Sequence, residues 1–141
     1  MSELMNAIAN LEAAMERGMR GKPAVGGFPY LAETMRDAGV RRNVWSLPSC
    51  QSVFITDLGN VAVQGKPLIE DMVNVPPFDE AALVRALRAD QAGESTFEQF
   101  LLGAWSAGVV SYVVDFGARK VAYFGVDGEK YEEEYPSVTL S

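Results

Sequence analysis

Two stretches of this chain change their hydrophobic period in the same way. In "FPYLAETMRDAG", Phe28, Leu31, Met35 and Ala38 fall at i, i+3, i+7 and i+10, one face of a helix. Pro29 sits in the first turn, where its missing N–H costs nothing. In "STFEQFLLGAWSAG", Phe97, Phe100, Leu101 and Ala104 make the apolar face, and Thr96 and Gln99 have capping-box spacing. Both runs end in Ala-Gly-Val, at Ala38-Gly39-Val40 and Ala107-Gly108-Val109. A glycine there accepts the left-handed conformation that stops a helix, and the valine packs back on the last turn.

After each stop the period drops to two. "VVSYVVDF" places Val110, Tyr112, Val114 and Phe116 on one face and Val109, Ser111, Val113 and Asp115 on the other. "ARKVAYFG" follows a tight connection at Gly117-Ala118, and Asp127-Gly128 turns the chain into "EKYEEEY". The earlier stretch reads "VRRNVWSL", a turn at Pro48-Ser49, "SVFITD", a turn at Leu58-Gly59 and "NVAVQ". Each set of strands has a further helix upstream of its capped one. The first carries Leu4, Ile8, Leu11 and Met15 as its stripe; the second starts at an Asp79 N-cap and carries Leu83, Val84 and Leu87.

An offset of 69 residues superimposes the two Ala-Gly-Val stops without a gap. It also lays Phe28 on Phe97, Val44 on Val113, Ile55 on Phe124 and Gly59 on Gly128. These matches predict one supersecondary unit used twice. The expected fold is α+β: duplicated α-α-β-β-(β) units with helices packed on an antiparallel sheet. The expected organisation is a single domain over 1–141, with repeat one about 1–66, a linker about 67–77 and repeat two about 78–138.

Composition narrows the partners more than the fold. A chain of 141 residues, 48% hydrophobic and 22% charged, can bury a core without metal or disulfide help. Net charge is −7, with seven Lys/Arg and six Asp/Glu in residues 1–66 but five and thirteen in residues 67–141. An acidic chain is a poor phosphate binder, so nucleic acid is not expected as a partner. The uncharged run from Gln99 to Val114 is short of the roughly 20 residues of a spanning helix and is interrupted by Gly103 and Gly108. The N-terminal stretch lacks a basic leader and a continuous apolar run. With one cysteine, Cys50, no internal disulfide closes. These features predict a cytoplasmic protein away from membranes.

There is no histidine. Ser-His and Cys-His nucleophile pairs, the imidazole proton shuttle and histidine zinc sites are therefore excluded. "GMRGKPAVGG" is Gly-rich but lacks the Gly-Lys-Ser/Thr ending of a phosphate loop. No cofactor or metal is expected. Cys50 lies at a hairpin turn with nothing to activate its thiol. Asp115 ends a strand beside Arg119 and reads either as a turn-capping or paired acid or as a base or ligand anchor. Tyr112, Tyr123, Tyr131 and Tyr135 lie on consecutive strands, as core-edge packing or as an aromatic binding surface. Trp45 is large enough to floor a pocket between the copies. Glu132, Glu133 and Glu134 read as charges protecting a terminal strand.

The segment from Thr96 to Val138 resembles the YdfO-like family of bacterial, prophage-associated domains of unknown function. The resemblance rests on Ala107-Gly108-Val109, Tyr112 with Val114-Asp115, Tyr123, Asp127-Gly128, and Tyr131 with Tyr135-Pro136. It implies a small α+β domain, and some members carry the label "phage envelope protein". The expected function is a non-enzymatic binding or interaction module for an unknown protein or small molecule, with a homodimer also admitted. Its candidate contacts are Trp45, Tyr112, Asp115, Tyr123 and Tyr131. The alternatives are an enzyme pairing Asp115 with Tyr112 or Tyr123 on a small molecule, and an oligomeric structural part of phage or stress physiology.

Overall fold

The computed structural model describes residues 3–140. Helices α1 (Glu3–Gly21) and α2 (Gly27–Asp37) lead into strands β1 (Val40–Ser46), β2 (Gln51–Thr56) and β3 (Val61–Gln64). Helices α3 (Glu80–Gln91) and α4 (Phe97–Ser106) lead into β4 (Val109–Asp115), β5 (Lys120–Gly125) and β6 (Lys130–Glu134). The six strands form one antiparallel sheet in the order β3-β2-β1-β4-β5-β6. The fold is α+β, with helices on one sheet face.

Local chemistry accounts for the element ends. Asp79 caps α3 by accepting from the Ala82 N–H, and Thr96 and Gln99 form the reciprocal capping box of α4. Gly39 and Gly108 stop α2 and α4 with φ of 87° and 88°. The β1–β2 and β4–β5 registers are related by the same 69-residue offset: Asn43 faces Phe54 and Tyr112 faces Tyr123. Both ladders also shift register at the same place, between Val40 and Arg42 and between Val109 and Ser111. Where β1 meets β4, Val44 faces Val113, and the pairing extends equally to Arg42–Asp115 and Ser46–Ser111.

Two expectations from periodicity need correction. Val109, placed opposite to Tyr112 by strict alternation, is fully buried beside it, while Val110 is only half-buried. The bulge after Val109 supplies the extra residue that turns both side chains inward. In α1 the buried face centres on Ala7, Leu11 and Ala14, leaving Ile8 and Met15 at the solvent boundary; the Leu4 side chain lies outside the described residues. Small residues let this helix approach closely: a Cβ on Gly18 would meet Leu31 of α2, and Ala7 packs against Gly59.

On the helix-covered face, one row of cross-strand neighbours runs Ser52, Trp45, Tyr112, Tyr123, Tyr131. The next runs Phe54, Asn43, Val114, Val121, Glu133. The opposite face, with Val53, Val44, Val113 and Ala122 in line, carries no helix among the described residues, and Val44 and Val53 are partly exposed. A second tie between the halves is a mostly buried ion pair, in which Arg119 of the β4–β5 turn donates to the Glu33 carboxylate of α2.

Candidate functional site

The helices leave part of the second half of the sheet uncovered. Above it lies a cleft of about 610 Å³, within the range of small-molecule sites. Its floor is built from inward positions of β4, β5 and β6: Tyr112, Val114, Val121, Tyr123, Tyr131 and Glu133. One wall is the last turns of α3, with Leu87, Arg88, Asp90 and Gln91; Phe97 and Phe100 at the start of α4 form another. The first half closes the cleft with Gly26, Phe28 and Pro29. The Gly26 N–H donates to the Gln91 carbonyl at 3.1 Å, holding that loop against α3. Phe28 meets Tyr135 edge to face, with ring centroids 5.1 Å apart.

The aromatic floor is continuous. The Tyr112 ring lies 5.7 Å from Tyr123, and Tyr123 lies 6.5 Å from Tyr131. Trp45 stacks on Tyr112 at 5.8 Å and meets Phe97 edge-on at 5.5 Å, so it braces the floor from the β1 side. The structure thus brings four of the sequence-derived candidates, Trp45, Tyr112, Tyr123 and Tyr131, into one row. Asp115 is not among them. It lies three residues from Tyr112 along β4, on the other sheet face, where Oδ1 accepts from the Ala118 N–H at 3.0 Å and caps the turn. It borders a separate shallow depression with Arg41, Arg42, Ile55 and Gly117.

A polar network edges the cleft. Arg88 binds Glu133 through two contacts, Nη2 to Oε2 at 2.5 Å and Nη1 to Oε1 at 3.2 Å. Gln91 Nε2 donates to Glu133 Oε1 at 3.2 Å, and the Tyr131 hydroxyl donates to Oε2 at 2.6 Å. Burial pushes the Glu133 carboxyl up, but Arg88, Tyr131 and Gln91 together outweigh it and hold the group below its ordinary value. Burial raises Asp90, with Lys22 pulling weakly the other way. Tyr112 is raised by burial first, then by Tyr123, Cys50 and, least, Asp90; Tyr123 is raised by burial first, then by Glu133, Asp90 and Tyr131, with Arg88 pulling the other way. Their phenols therefore stay neutral and offer a hydroxyl rather than a phenolate.

Arg88, Asp90, Gln91 and Glu133 were not singled out from sequence as a site. Glu133 sits inside the run Glu132–Glu134, which read as edge charge. Alternation was the available signal, because Tyr131 and Glu133 share a face. Cys50 is buried, donates to the Leu47 carbonyl at 3.5 Å, and has its thiol pushed up by burial, the opposite of an activated nucleophile. Among the described residues, no three acidic or cysteine side chains are placed to hold a metal ion, and no helix is long and apolar enough to cross a membrane.

Residues 26–134 match the model of a family described as "Protein of unknown function (DUF1398)". The chain belongs to this family. The matched span contains the three strands of the cleft floor and both of its helical walls. The chain is also similar to uncharacterized proteins of Mycobacterium bovis and Mycobacterium tuberculosis. Each is 52% identical over 142 residues, an alignment covering all of this chain and 87% of the relative.

Proposed function

We propose that this DUF1398 member is a binding module whose small-molecule ligand occupies the cleft on β4–β6. The observation that carries this reading is the cleft itself: an aromatic floor, convergent polar groups at its edge, and walls drawn from both halves of the chain. Binding is favoured over turnover by the electrostatics. Phenols with raised pKa values stay protonated, so they offer no phenolate base and are weak acids, and Asp115, the carboxylate that would have paired with them, lies across the sheet.

The same reading takes the chain as one α-α-β-β-β unit used twice. Supporting it are the equal φ of Gly39 and Gly108 and the matching bulges. The exchanged bonds from Leu47 N to Val110 O and from Phe116 N to Arg41 O, each 3.0 Å, fit the same offset. In this view the two copies have diverged. Tyr112 and Tyr123 stand where the first copy has Asn43 and Phe54, so only the second half carries the tyrosine floor. The Thr96–Val138 segment keeps its YdfO-like reading here, with the prophage association as part of the proposal.

Phe97 tests the assignment at small cost to the fold, since its ring is 53% exposed at the cleft mouth. Aromatic fragments that raise the unfolding midpoint of the native protein should lose most of that effect in Phe97→Ala and keep it in Val44→Ala. Equal stabilisation of Phe97→Ala and the native protein would place the fragments elsewhere and overturn the reading.

A further inference from the structure

The charges and unpartnered groups around the cleft select among ligands. Of the charged residues lining it, Asp90 and Glu133 are the acids on the cleft face and Arg88 alone is basic; Glu132 and Glu134 alternate to the other face of β6, where Glu132 pairs with Lys120 and Lys130. Arg88 is already committed to Glu133 through both guanidinium nitrogens and cannot turn to meet an incoming anion without breaking that pair. Asp90 is held partly out of water, and Lys22 draws on its charge.

The second, independent observation is on the floor. Tyr112 and Tyr123 are more than nine-tenths buried and line the cleft. Neither hydroxyl pairs with another described residue, and neither is among the buried side-chain atoms left without a partner, so both reach the open space of the cleft. A hydroxyl that opens to the cleft and meets no protein group is free to pair with a ligand. Asp90 lines the same cleft, so the carboxylate and the two phenols stand around one space. Phenolic oxygens and a carboxylate accept hydrogen bonds. Around them stand the rings of Phe28, Phe97 and Phe100, suited to an apolar or aromatic body.

We infer that the cleft takes an organic cation: an amine borne on a flat, apolar body, its N–H groups donating to Asp90 and to the Tyr112 and Tyr123 oxygens. This rests on the cleft being the ligand site. A buried ammonium loses its hydration and regains it here as a carboxylate and two neutral acceptors. A carboxylate-bearing ligand of the same shape meets the Asp90 carboxylate instead, with Arg88 already held by Glu133.

Three probes with one indole body isolate the charge: tryptamine, 3-methylindole and indole-3-acetate, titrated by calorimetry into the full chain. Tryptamine should bind at least about tenfold more tightly than 3-methylindole, and indole-3-acetate the most weakly of the three. Asp90→Asn should bring tryptamine down to the level of 3-methylindole while leaving 3-methylindole unchanged. Asp115→Asn, across the sheet, should change neither. Thermal unfolding of each variant checks that it is folded, and Asp90→Glu should restore part of the tryptamine preference. Equal binding of the three probes, or a preference for indole-3-acetate, would overturn the cation assignment and leave the cleft as the site. No binding of any probe at millimolar concentration would overturn both. An unchanged tryptamine affinity in folded Asp90→Asn would overturn the role of Asp90 and with it the inference.

Discussion

Gly108→Ala is expected to destabilise the protein by about 3–5 kcal/mol, and Gly39→Ala by only about 1–2 kcal/mol. Both glycines stop a helix at nearly the same positive φ, so the backbone strain of adding a side chain is common to the two. Their surroundings differ. A Cβ on Gly108 would lie 2.5 Å from the Pro77 carbonyl oxygen and 2.6 Å from the Phe78 backbone. The linker is fixed there, because the Asp79 N–H donates to the Ala107 carbonyl at 2.7 Å. A Cβ on Gly39 would meet only the Asp57 side chain, at 3.3 Å, which can rotate away. Denaturant unfolding of the two variants decides the point. Similar small losses would mean that the linker does not press on the second helix stop.

Tyr112→Ala should cost about 3–5 kcal/mol, whereas Tyr112→Phe should stay within about 1 kcal/mol of the native protein. The ring is the keystone of the aromatic row, stacked on Trp45, tilted against Tyr123, and the residue is 8% exposed. Removing it opens a cavity under the cleft and withdraws support from both neighbours. Removing only the oxygen leaves the packing in place and takes away a hydroxyl that holds no protein partner. The two variants therefore separate the fold from the ligand site: the phenylalanine form should unfold normally yet bind amine probes less tightly. A stability loss in Tyr112→Phe as large as that in Tyr112→Ala would mean that the hydroxyl is a structural group.

The legible parts of this protein are those governed by short-range chemistry. Gly39 and Gly108, the Asp79 cap and the Thr96–Gln99 box mark their helix ends because each acts on backbone groups within a few residues. The tyrosine row was approachable because alternation assigns side chains to faces. It failed locally at Val109, where β4 carries one residue more than β5 opposite, a feature that only the pairing of the two strands reveals. The cleft walls were out of reach for a related reason. Gly26 and Asp90 are far apart in sequence, and only the packing of loop 22–26 against the end of α3 brings them to one space. Glu133 joined a run of three like charges, and its role appears only once Arg88 of α3 stands above β6. Asp115 shows the converse: its type suggested chemistry, and its position on β4 turned it to the other face.

The most direct test of the binding cleft is a map of backbone amide shifts in the ¹⁵N-labelled protein titrated with small aromatic fragments. The shifts should begin at residues 87–91 and 97–100 and at Tyr112, Tyr123 and Tyr131, with Gly26 and Phe28 following from the first half. Shifts confined to the open sheet face around Val44 and Val113, or to the depression beside Arg42 and Asp115, would contradict the account.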